Sequence, residues 1–377
     1  MSVSPPRGRK ARSSQNAESD GILRMKFSGR DEVEIRSALL EWFRRYARCL
    51  PWRKSRDPYA VWVSEVMLQQ TQVATVIPYY HRFLEAFPTL ADLAGAPLER
   101  VLQLWSGLGY YRRARHLHNA AQELVRRFGG VFPRDYEQIR SLPGIGDYTA
   151  RAVLSIAFNQ PYALLDGNVA RVLSRLGALK GNLDQRDFRR AVQAQVELLL
   201  SRRSPGAFNQ SLMELGQTIC LPRAPRCAAC PLRKWCRGFK SGQPELYPQP
   251  RPRRAAESHY LAAAILRRGA RVAMVRGLDE GLLDDLWNFP SAFGRSCAEA
   301  LASLRNKLAA FGSASVASSE PIAQLNHGIT YRAIRVHAYL AETYHTPRRG
   351  PFRWFPISSL PQAAISQLAR KVAQRVF

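Results

Sequence analysis

Four of the six cysteines in this 377-residue chain lie close together, and their spacing constrains the fold more than any other feature. The pattern is C-x6-C-x2-C-x5-C, formed by Cys220, Cys227, Cys230 and Cys236. Four thiolates in one short loop can hold a [4Fe–4S] cluster. Zinc also binds four cysteines, but usually through two C-x2-C pairs, and this loop contains one. Four unrelated thiols are the third interpretation, so the spacing favours a cluster without excluding the alternatives.

The charge of the chain indicates a polyanionic partner. Lys and Arg number 56 against 29 Asp and Glu, which gives a formal net charge of +27 and a pI of about 10.7. Nucleic acid is the commonest partner of such proteins. An anionic membrane is the rival, but the basic residues are spread through the chain and no apolar run approaches the roughly 18 residues of a membrane span. We therefore expect a nucleic-acid-binding protein without membrane association.

The N-terminus and the cysteines also bear on location. The first twenty residues are polar and basic and lack the apolar core of a secretory signal. The cysteine pattern does not resemble a secreted disulfide framework. We expect a reducing compartment, which is the cytoplasm, with association to the nucleoid, if the protein is bacterial. Cys49 and Cys297 are expected to be buried thiols.

Hydrophobic periodicity divides the chain into a helical region and a mixed one. Residues 1–30 are predicted to form a basic disordered arm. Residues 31–240 show helical spacing throughout, with one break expected near Pro78. A Pro-rich, charged linker is predicted at 241–257, and residues 258–377 combine a hairpin around Arg-Arg-Gly with further strands and two helices. The expected fold class is mainly α, followed by an α+β domain.

The stretch "SLPGIGDYTARAV", residues 141–153, predicts a tight turn followed at once by a helix. Gly144 and Gly146 allow the backbone to approach a ligand closely, and the N-terminus of the next helix favours a negative charge. An ordinary turn between helices has the same pattern. The excess of positive charge favours a turn that binds a DNA phosphate.

Two acidic residues stand in settings that suit cleavage of a glycosidic bond. Glu65 lies among Val, Trp, Met and Leu in "VWVSEVMLQQTQV", and such surroundings raise the pKa of a carboxyl group. Asp166 follows an apolar run in "ALLDGNVARVL" and precedes a helix. A protonated Glu with an ionised Asp is the pairing that this reaction uses. The structural alternatives are a Glu at a helix edge and an N-cap formed by Asp166 or Asn168.

Five segments together resemble the MutY-type adenine DNA glycosylases of the helix-hairpin-helix superfamily. They are "SEVMLQQTQV", "GLGYYRRARHL", "LPGIGDYTARAV", "DGNVARV" and the cysteine loop, in this order between about residues 35 and 240. The resemblance implies a helix-hairpin-helix glycosylase fold with a [4Fe–4S] cluster. It implies a monomeric enzyme that removes adenine mispaired with 8-oxoguanine or guanine from double-stranded DNA, after flipping the adenine out of the helix.

The same resemblance implies roles for individual residues. Glu65 would protonate adenine at N7, Asp166 would stabilise the oxocarbenium-like sugar, and Asn168 would help to orient the site. Tyr148 stands where bifunctional relatives of the endonuclease III type carry a Lys that forms a Schiff base, which implies an enzyme that leaves an intact abasic site. The residues expected to contact DNA in this region are Gln69, Gln70, Tyr110, Gly144 and Gly146.

The C-terminal region resembles, more weakly, the Nudix-like domain of that family. "GLLDDLWNFP" and "FRWFPISSLP" carry this resemblance, and the sequence lacks the glutamate cluster of a Nudix metal box, so we expect binding without hydrolysis. The family loop that probes 8-oxoguanine commonly reads Phe-Ser-His, and the corresponding residues here are Ile329, Thr330 and Tyr331. Thr330 and Tyr331 are the predicted lesion contacts, with His327 nearby.

Two other functions stay open at this point. One is a glycosylase of the same fold that acts on an oxidised pyrimidine or on mismatched thymine. Gln69-Gln70, the DGN motif and the additional C-terminal domain argue against it. The other is a non-catalytic DNA-binding protein with a redox-sensing cluster, and the pair of Glu65 and Asp166 argues against that.

Overall fold

The computed structural model describes six stretches of the chain: residues 27–250, 255–278, 282–311, 314–329, 331–343 and 352–377. Most of the predicted basic arm and part of the predicted linker, residues 251–254, lie outside them. The chain divides into two compact units, one formed by residues 1–49 with 150–251 and the other by residues 50–149 with 252–377. Each unit therefore combines two separate segments, and the predicted domain boundaries near 240 and 258 stay predictions.

Helices dominate the described stretch 27–250, as the sequence predicts. No helix among the described residues is long and apolar enough to cross a membrane. The helices of this stretch are α1 (Gly29–Tyr46), α2 (Pro58–Leu68), α3 (Val73–Ala86), α4 (Leu90–Gly95), α5 (Leu98–Trp105), α6 (Arg112–Phe128), α7 (Tyr136–Arg140), α8 (Asp147–Ile156), α9 (Gly167–Gly177), α10 (Arg186–Leu199), α11 (Pro205–Thr218) and α12 (Arg237–Lys240).

Local signals explain where the first two helices begin. At α1, the Ser28 hydroxyl accepts a hydrogen bond from the N–H of Asp31, and the Asp31 carboxylate accepts one from the N–H of Ser28, which forms a capping box. Asp57 caps α2 through the N–H groups of its first turn. Pro58 is the first residue of α2, where its missing N–H costs no hydrogen bond.

The predicted break near Pro78 is wrong. α3 runs through Pro78, and the helices are interrupted earlier, between Leu68 and Val73. Gln70 lies in this interruption with φ +57°, a left-handed conformation that a right-handed helix cannot continue through. The chain leaves α2 at Gln69, whose ψ of 113° is not helical, and the left-handed Gln70 follows. The proline only removes one hydrogen bond from α3.

The first unit packs α1, α9, α10 and α11 around one apolar core. Ile35, Leu39 and Phe208 are 0–1% exposed at its centre. The buried polar side chain of Asn209 is fully paired: it accepts from the N–H of Leu164 at 3.1 Å and donates to the Ser155 hydroxyl and the carbonyl of Tyr162. Both polar atoms of the buried Asn209 amide thus have partners, as stability requires, whereas the side-chain oxygen of the buried Gln195 on α10 has none.

An ion pair connects the end of α1 to α11 within this unit. The side chain of Glu214 is 0% exposed, and its two carboxylate oxygens accept from Nε and Nη2 of Arg48 at 2.7 and 2.8 Å. The backbone N–H of Arg48 donates to the same carboxylate at 3.1 Å. The carboxylate is thereby compensated by a guanidinium fork, the geometry that arginine provides.

In the second unit, residues 50–149 pack α2 to α7 through large aromatic side chains. Trp62 of α2 and Trp105 of α5 are 1% and 0% exposed, and Phe83 of α3 meets the Trp105 ring edge to face at 5.9 Å. Nine of the eleven residues of α2 are buried. Because α2 exposes so little of its surface to solvent, its one charged residue, Glu65, is buried with it.

The C-terminal segment of this unit is a mixed sheet with helices on both faces, which confirms the predicted α+β class. Strand order is β3-β2-β1-β7-β5, with β4 on β1, β6 on β7 and β8 on β2, and β1 and β7 pair in parallel. The elements are β1 (Glu257–Arg268), β2 (Arg271–Leu278), β3 (Leu282–Asn288), β4 (Ser291–Gly294), α13 (Cys297–Ala310), β5 (Ala314–Val316), β6 (Ala323–Ile329), β7 (Arg332–Thr343), β8 (Arg353–Pro356) and α14 (Gln367–Val376).

Alternation along β1 builds a core on each face of the sheet, because successive strand residues point to opposite sides. Leu261 and Ile265 belong to the core that contains α14, whereas Ala262 and Leu266 belong to the core that contains α13. The predicted hairpin around Arg-Arg-Gly is confirmed as β1 and β2, with Arg267 opposite Val272.

Polar contacts join the two segments of this second unit. The carboxylate of Glu99 in α5 accepts from Nη1 of Arg353 at 2.9 Å and from the indole of Trp287 at 3.3 Å. Ser106 donates to the carbonyl of Ile365 at 3.2 Å and accepts from Nη2 of Arg370 at 2.9 Å. The sheet domain is thus bonded directly to the end of α5 and to the loop that follows it.

Arg48→Met tests the ion pair with Glu214. The substitution leaves a fully buried carboxylate without its guanidinium, and breaking a buried pair from one side costs about 3 kcal/mol or more. We expect the free energy of unfolding in urea to fall by that amount. Arg45→Met is the matched control, because the exposed pair of Arg45 with Glu41 is worth only about 0.3–0.5 kcal/mol. Equal losses in the two variants would contradict this account of the core.

Candidate active site and cysteine loop

Glu65 lies on α2 among buried residues of the same helix. It is 8% exposed, and its helical neighbours Val61, Trp62 and Val66 are buried with it. The structural alternative of a Glu that reaches water from a helix edge does not fit this burial. A carboxyl group held inside a protein can serve as a general acid or base toward a ligand that reaches it.

The turn after α2 places the two glutamines differently. Gln69 is half-buried, and its amide donates to the hydroxyl of Thr149 at 3.4 Å, which connects the end of α2 to the first turn of α8. Gln70 is exposed and has a positive φ. The backbone thus directs Gln70 outward, whereas Gln69 contacts the protein.

The predicted turn between α7 and α8 is present, and its two glycines are not equivalent. Both are exposed. Gly144 has φ +72°, and a Cβ there would lie 2.4 Å from the Cβ of His116, so only glycine fits. A Cβ at Gly146 would meet no atom within 4 Å. Tyr148 follows in the first turn of α8 and is half-buried, which leaves its ring accessible next to this turn.

Tyr110 precedes α6 and projects from a second short loop. It is 49% exposed, which is unusual for a large aromatic side chain, and its φ is +50°. A bulky residue in this left-handed region is an outlier of the kind that clusters at functional sites. The alternative of a core aromatic is wrong for Tyr110, although its neighbour Tyr111 is buried.

Asp166 and Asn168 lie together at the start of α9, in the first unit. Asp166 is the N-cap, and its carboxylate accepts from the N–H of Val169 at 2.7 Å and from the amide of Asn168 at 2.9 Å. Arg171 donates to the Asn168 carbonyl oxygen at 2.9 Å and to the main-chain carbonyl of Cys220 at 2.7 Å. The N-cap role expected for Asp166 is therefore real, and the same bonds fix the direction of its carboxylate.

The four cysteines of the loop line a single, largely apolar cavity next to α9. Arg175 of α9 donates to the sulfur of Cys220 at 3.4 Å and to the carbonyl of Leu221 at 2.6 Å. Burial raises the pKa of the Cys230 thiol to about 12 and also raises the pKa of Cys227 and Cys236. The four sulfurs therefore share one cavity, and burial favours the thiol form of Cys227, Cys230 and Cys236.

The spacing of the sulfurs bears on which metal fits. Among the described residues, no three His, Cys, Asp or Glu side chains are close enough to bind one metal ion. Zinc needs its four ligands at about 2.3 Å from one centre. All four thiols line one shared cavity, and four cysteine sulfurs are the donor set that a [4Fe–4S] cluster uses. The choice between a cluster and zinc stays a prediction.

The predicted lesion loop of the C-terminal domain is the tip of the hairpin between β6 and β7. Ile329 pairs with Arg332 across the strands and packs against the apolar core on the α14 face. Tyr331 is half-buried in the turn, and Thr330 lies outside the described residues. Burial and the nearby charge of Lys371 lower the pKa of His327.

The two remaining cysteines differ from expectation in part. Cys49 is exposed, so its prediction as a buried thiol is wrong, because the chain leaves α1 there for a surface segment. Cys297 is half-buried at the start of α13, with its sulfur 2.9 Å from Nδ1 of His337.

Comparison with known proteins assigns the fold to a family. Residues 63–197 match the family model described as "HhH-GPD superfamily base excision DNA repair protein". Among solved structures, a thermostable thymine-DNA glycosylase superposes with a TM-score of 0.51 at 29% identity, over 56% of this chain and 98% of that chain. These matches agree with the helices of residues 27–250 and with the glycine turn at Gly144.

Curated relatives narrow the assignment. An adenine DNA glycosylase of Mus musculus is 39% identical over 313 residues, which is 69% of this chain and 61% of that protein. One of Buchnera aphidicola subsp. Acyrthosiphon pisum is 34% identical over 270 residues, which is 71% of this chain and 77% of that protein. The chain therefore belongs to the HhH-GPD superfamily of base excision DNA repair proteins and, within it, to the adenine DNA glycosylase family.

The resemblance drawn from the five motifs is confirmed by these matches. The chain spans about three fifths of the length of the first mammalian relatives, between 58% and 61%. Sequence reasoning did not find Arg113, Arg171 and Arg175, whose side chains bond to the candidate loops. Each stands in a basic helical run, and only the main-chain partners distinguish them from arginines that face solvent.

Alanine substitutions at Gly144 and Gly146 test two properties of the turn separately: its contribution to stability and its predicted binding of DNA. A methyl group at Gly144 meets His116 and a left-handed backbone, so we expect the free energy of unfolding to fall by about 2–4 kcal/mol. Gly146→Ala should keep its stability within about 0.5 kcal/mol but weaken binding of a DNA duplex, the ligand predicted from the sequence. Urea unfolding and fluorescence anisotropy measure the two effects. A Gly144→Ala protein as stable as Gly146→Ala would contradict the steric argument.

Proposed function

We propose that this chain is a DNA glycosylase that hydrolyses the N-glycosidic bond of adenine mispaired with 8-oxoguanine or guanine. The observation that carries the proposal is the burial of Glu65, the one charged residue of α2, within an apolar helix of a chain that belongs to the adenine DNA glycosylase family. The base would leave as free adenine, and water would add to the sugar carbon to give an abasic site.

Glu65 serves as the general acid in this proposal. Its proton goes to N7 of the flipped adenine, which turns the base into a neutral leaving group as the bond to the sugar breaks. In this proposal Glu65 carries its proton before the reaction begins. Once the proton has been transferred, the carboxylate can accept a proton from the attacking water, so the acid is restored when adenine leaves.

Asp166 stabilises the positive charge that develops on the sugar. Its carboxylate is oriented by the N–H of Val169 and the amide of Asn168, so no reorganisation is needed when charge appears. Asn168 acts on the reaction through Asp166 and is a positioning residue. Tyr148 stands where bifunctional relatives carry a Lys and offers a hydroxyl instead of an amine, so the proposed enzyme forms no Schiff base and leaves the DNA strand uncut.

The DNA duplex is held by the turn and the loops described above. The exposed glycine turn and the start of α8 suit a backbone phosphate. Gln70 and Tyr110 project from neighbouring loops and are the proposed contacts within the base stack near the mispair. A single chain carries all of these groups, so we take the monomer as the active unit. If the source is bacterial, the substrate implies action on the nucleoid.

The C-terminal domain is proposed to recognise 8-oxoguanine through the tip of the β6–β7 hairpin. Tyr331 at this tip offers the base an aromatic ring and a hydroxyl, whereas Ile329 packs against the core. Thr330 completes the proposed contact surface. Hydroxyl groups can both donate to and accept from the modified edge of the base.

A [4Fe–4S] cluster held by Cys220, Cys227, Cys230 and Cys236 is the proposed cofactor. The cluster would supply a structural centre for the loop, while the protein's own part is to present exposed basic side chains around it. These are Arg223, Arg226, Arg233, Lys234 and Arg237. Basic groups on one exposed loop favour binding of DNA phosphates.

Glu65→Gln tests the proposed acid. The amide keeps the shape of the side chain but cannot deliver the proton, so single-turnover release of adenine from an 8-oxoguanine·A duplex should fall by at least about 10²–10⁴-fold. Affinity for the duplex should persist. Glu85→Gln, at an exposed position of α3, is the matched control and should excise at the wild-type rate. Release by Glu65→Gln within a few-fold of wild type would remove Glu65 from the chemistry.

Cys230→Ser and Cys49→Ser test the cofactor. Cys230 lines the proposed cluster cavity, whereas Cys49 is exposed and outside the loop. We expect the wild type and Cys49→Ser to purify with about four irons per chain and a brown colour. Cys230→Ser should lose iron and bind DNA more weakly. Elemental analysis that gave one zinc per chain and no iron would contradict the cluster.

A further inference from the structure

Arg113, in the first turn of α6, lies between the two loops that carry Gln70 and Tyr110. Its guanidinium donates to the carbonyls of Val66 and Met67 at 2.8 and 3.1 Å. It also bonds to the loop that follows α2 and to the loop that precedes α6. These further partners are the carbonyl of Gln69, the hydroxyl of Thr71 at 3.2 Å and the carbonyls of Leu108 and Gly109 at 3.4 and 3.1 Å.

Arg113 bonds to carbonyls where the chain leaves regular structure. Two of them have a second donor, the Thr71 hydroxyl for Gln69 and the Trp105 indole for Gly109. Val66 and Met67 are in the last turn of α2, where helix carbonyls have no partner within the helix. Gln70 and Tyr110 both have a left-handed backbone, with φ +57° and +50°. Two strained positions in separate loops are therefore held from one side chain, and strain of this kind persists only where the surroundings enforce it.

Chemistry explains why the residue is arginine. A guanidinium presents five N–H donors in a rigid plane, so it can bond to two loops at once and fix the distance between them. The ring faces of Trp105 and Tyr110 lie 5.5 and 5.4 Å from its central carbon. Burial lowers the pKa of Arg113 to about 10, so the group stays charged at neutral pH. A lysine could make at most three such bonds and could not span both loops in one plane.

We propose that Arg113 is a positioning residue that sets Gln70 and Tyr110 at a fixed separation, so that both enter the DNA base stack together. The inference rests on the proposed function, because it takes these two residues as DNA contacts. Arg113 itself stays beneath the loops and acts through them. A side chain that served only to stabilise the fold would affect unfolding and leave the reaction of the folded protein unchanged.

Arg113→Met keeps the apolar stem and removes every donor. We measure two quantities at saturating protein and well below the unfolding temperature: single-turnover adenine release from an 8-oxoguanine·A duplex, and the fluorescence of 2-aminopurine next to the mispair, which rises when bases unstack. Release should slow by about 10- to 100-fold, as expected for a small misplacement of contacts. The unstacking amplitude should fall with it.

The control for lost stability is Leu93→Ala on α4, which packs against α6 in the same unit and is 0% exposed. It should lower the unfolding temperature to a similar extent but keep the rate within twofold and the full amplitude. Arg112→Met removes the same charge from an exposed neighbouring position and controls for affinity. Arg113→Lys, which keeps the charge, should fall between wild type and Arg113→Met.

A folded Arg113→Met protein with the wild-type rate and amplitude would overturn the proposal, and so would an equal loss in Leu93→Ala. If Arg113→Met does not fold, Arg113→Lys decides by the same two measurements. A wild-type protein that released no adenine would instead refute the proposed function, so the two failures can be told apart.

Discussion

The irregular parts of this structure depend on one interaction, the hydrogen bonds that buried arginine side chains donate to main-chain carbonyl oxygens. Arg113 bonds to the loops on either side of it, Arg175 bonds to the carbonyls of Leu221 and Pro222 in the cysteine loop, and Arg370 bonds to the carbonyl of Ala363 and to Ser106. Loop carbonyls that are buried need partners, since an unsatisfied one costs about 1–3 kcal/mol. One guanidinium bonds to several carbonyls at once, and because it is rigid it fixes their positions relative to one another.

The basic residues of this protein therefore fall into two groups: those whose side chains bond to the protein itself and those that are exposed. Burial lowers the pKa of Arg113, Arg171 and Arg370, and these side chains bond inward to the protein. The basic residues of the cysteine loop are exposed instead, although Lys234 also pairs with Glu34 at 3.0 Å. A net charge of +27 therefore overstates the charge that DNA would meet, and part of it belongs to the framework that holds the loops. Substitution of the inward-bonding arginines should change stability and the geometry of the loops. Substitution of the exposed basic residues should change the affinity for DNA and its salt dependence.

Local patterns predicted much of this molecule. The glycine turn, the Arg-Arg-Gly hairpin and the cysteine spacing are signals that a few neighbouring residues carry, and the structure has the turn before α8, the β1–β2 hairpin and the cysteine loop where they were expected. The interruption between α2 and α3 near Gln70 and the hydrogen bonds of Arg113 to two loops were not predictable in this way. Arg113 bonds to a residue 47 positions earlier in the chain, and no local pattern marks such a partner. Pro78 was the stronger local signal, but α2 ends at Gln69, where Arg113 bonds to the carbonyls of Val66, Met67 and Gln69 from a distant part of the chain.

The proposed function requires that this chain removes adenine, and not another base, from a mispair. The direct measurement is a competition in which wild-type protein meets equal amounts of duplexes that contain 8-oxoguanine·A, G·A, G·T and an oxidised pyrimidine opposite adenine, and the released bases are identified by mass spectrometry. We predict free adenine as the main product, released first from the 8-oxoguanine·A duplex and more slowly from G·A, with strand breaks only after alkali. Release of thymine or of the oxidised pyrimidine in preference to adenine would contradict the claim.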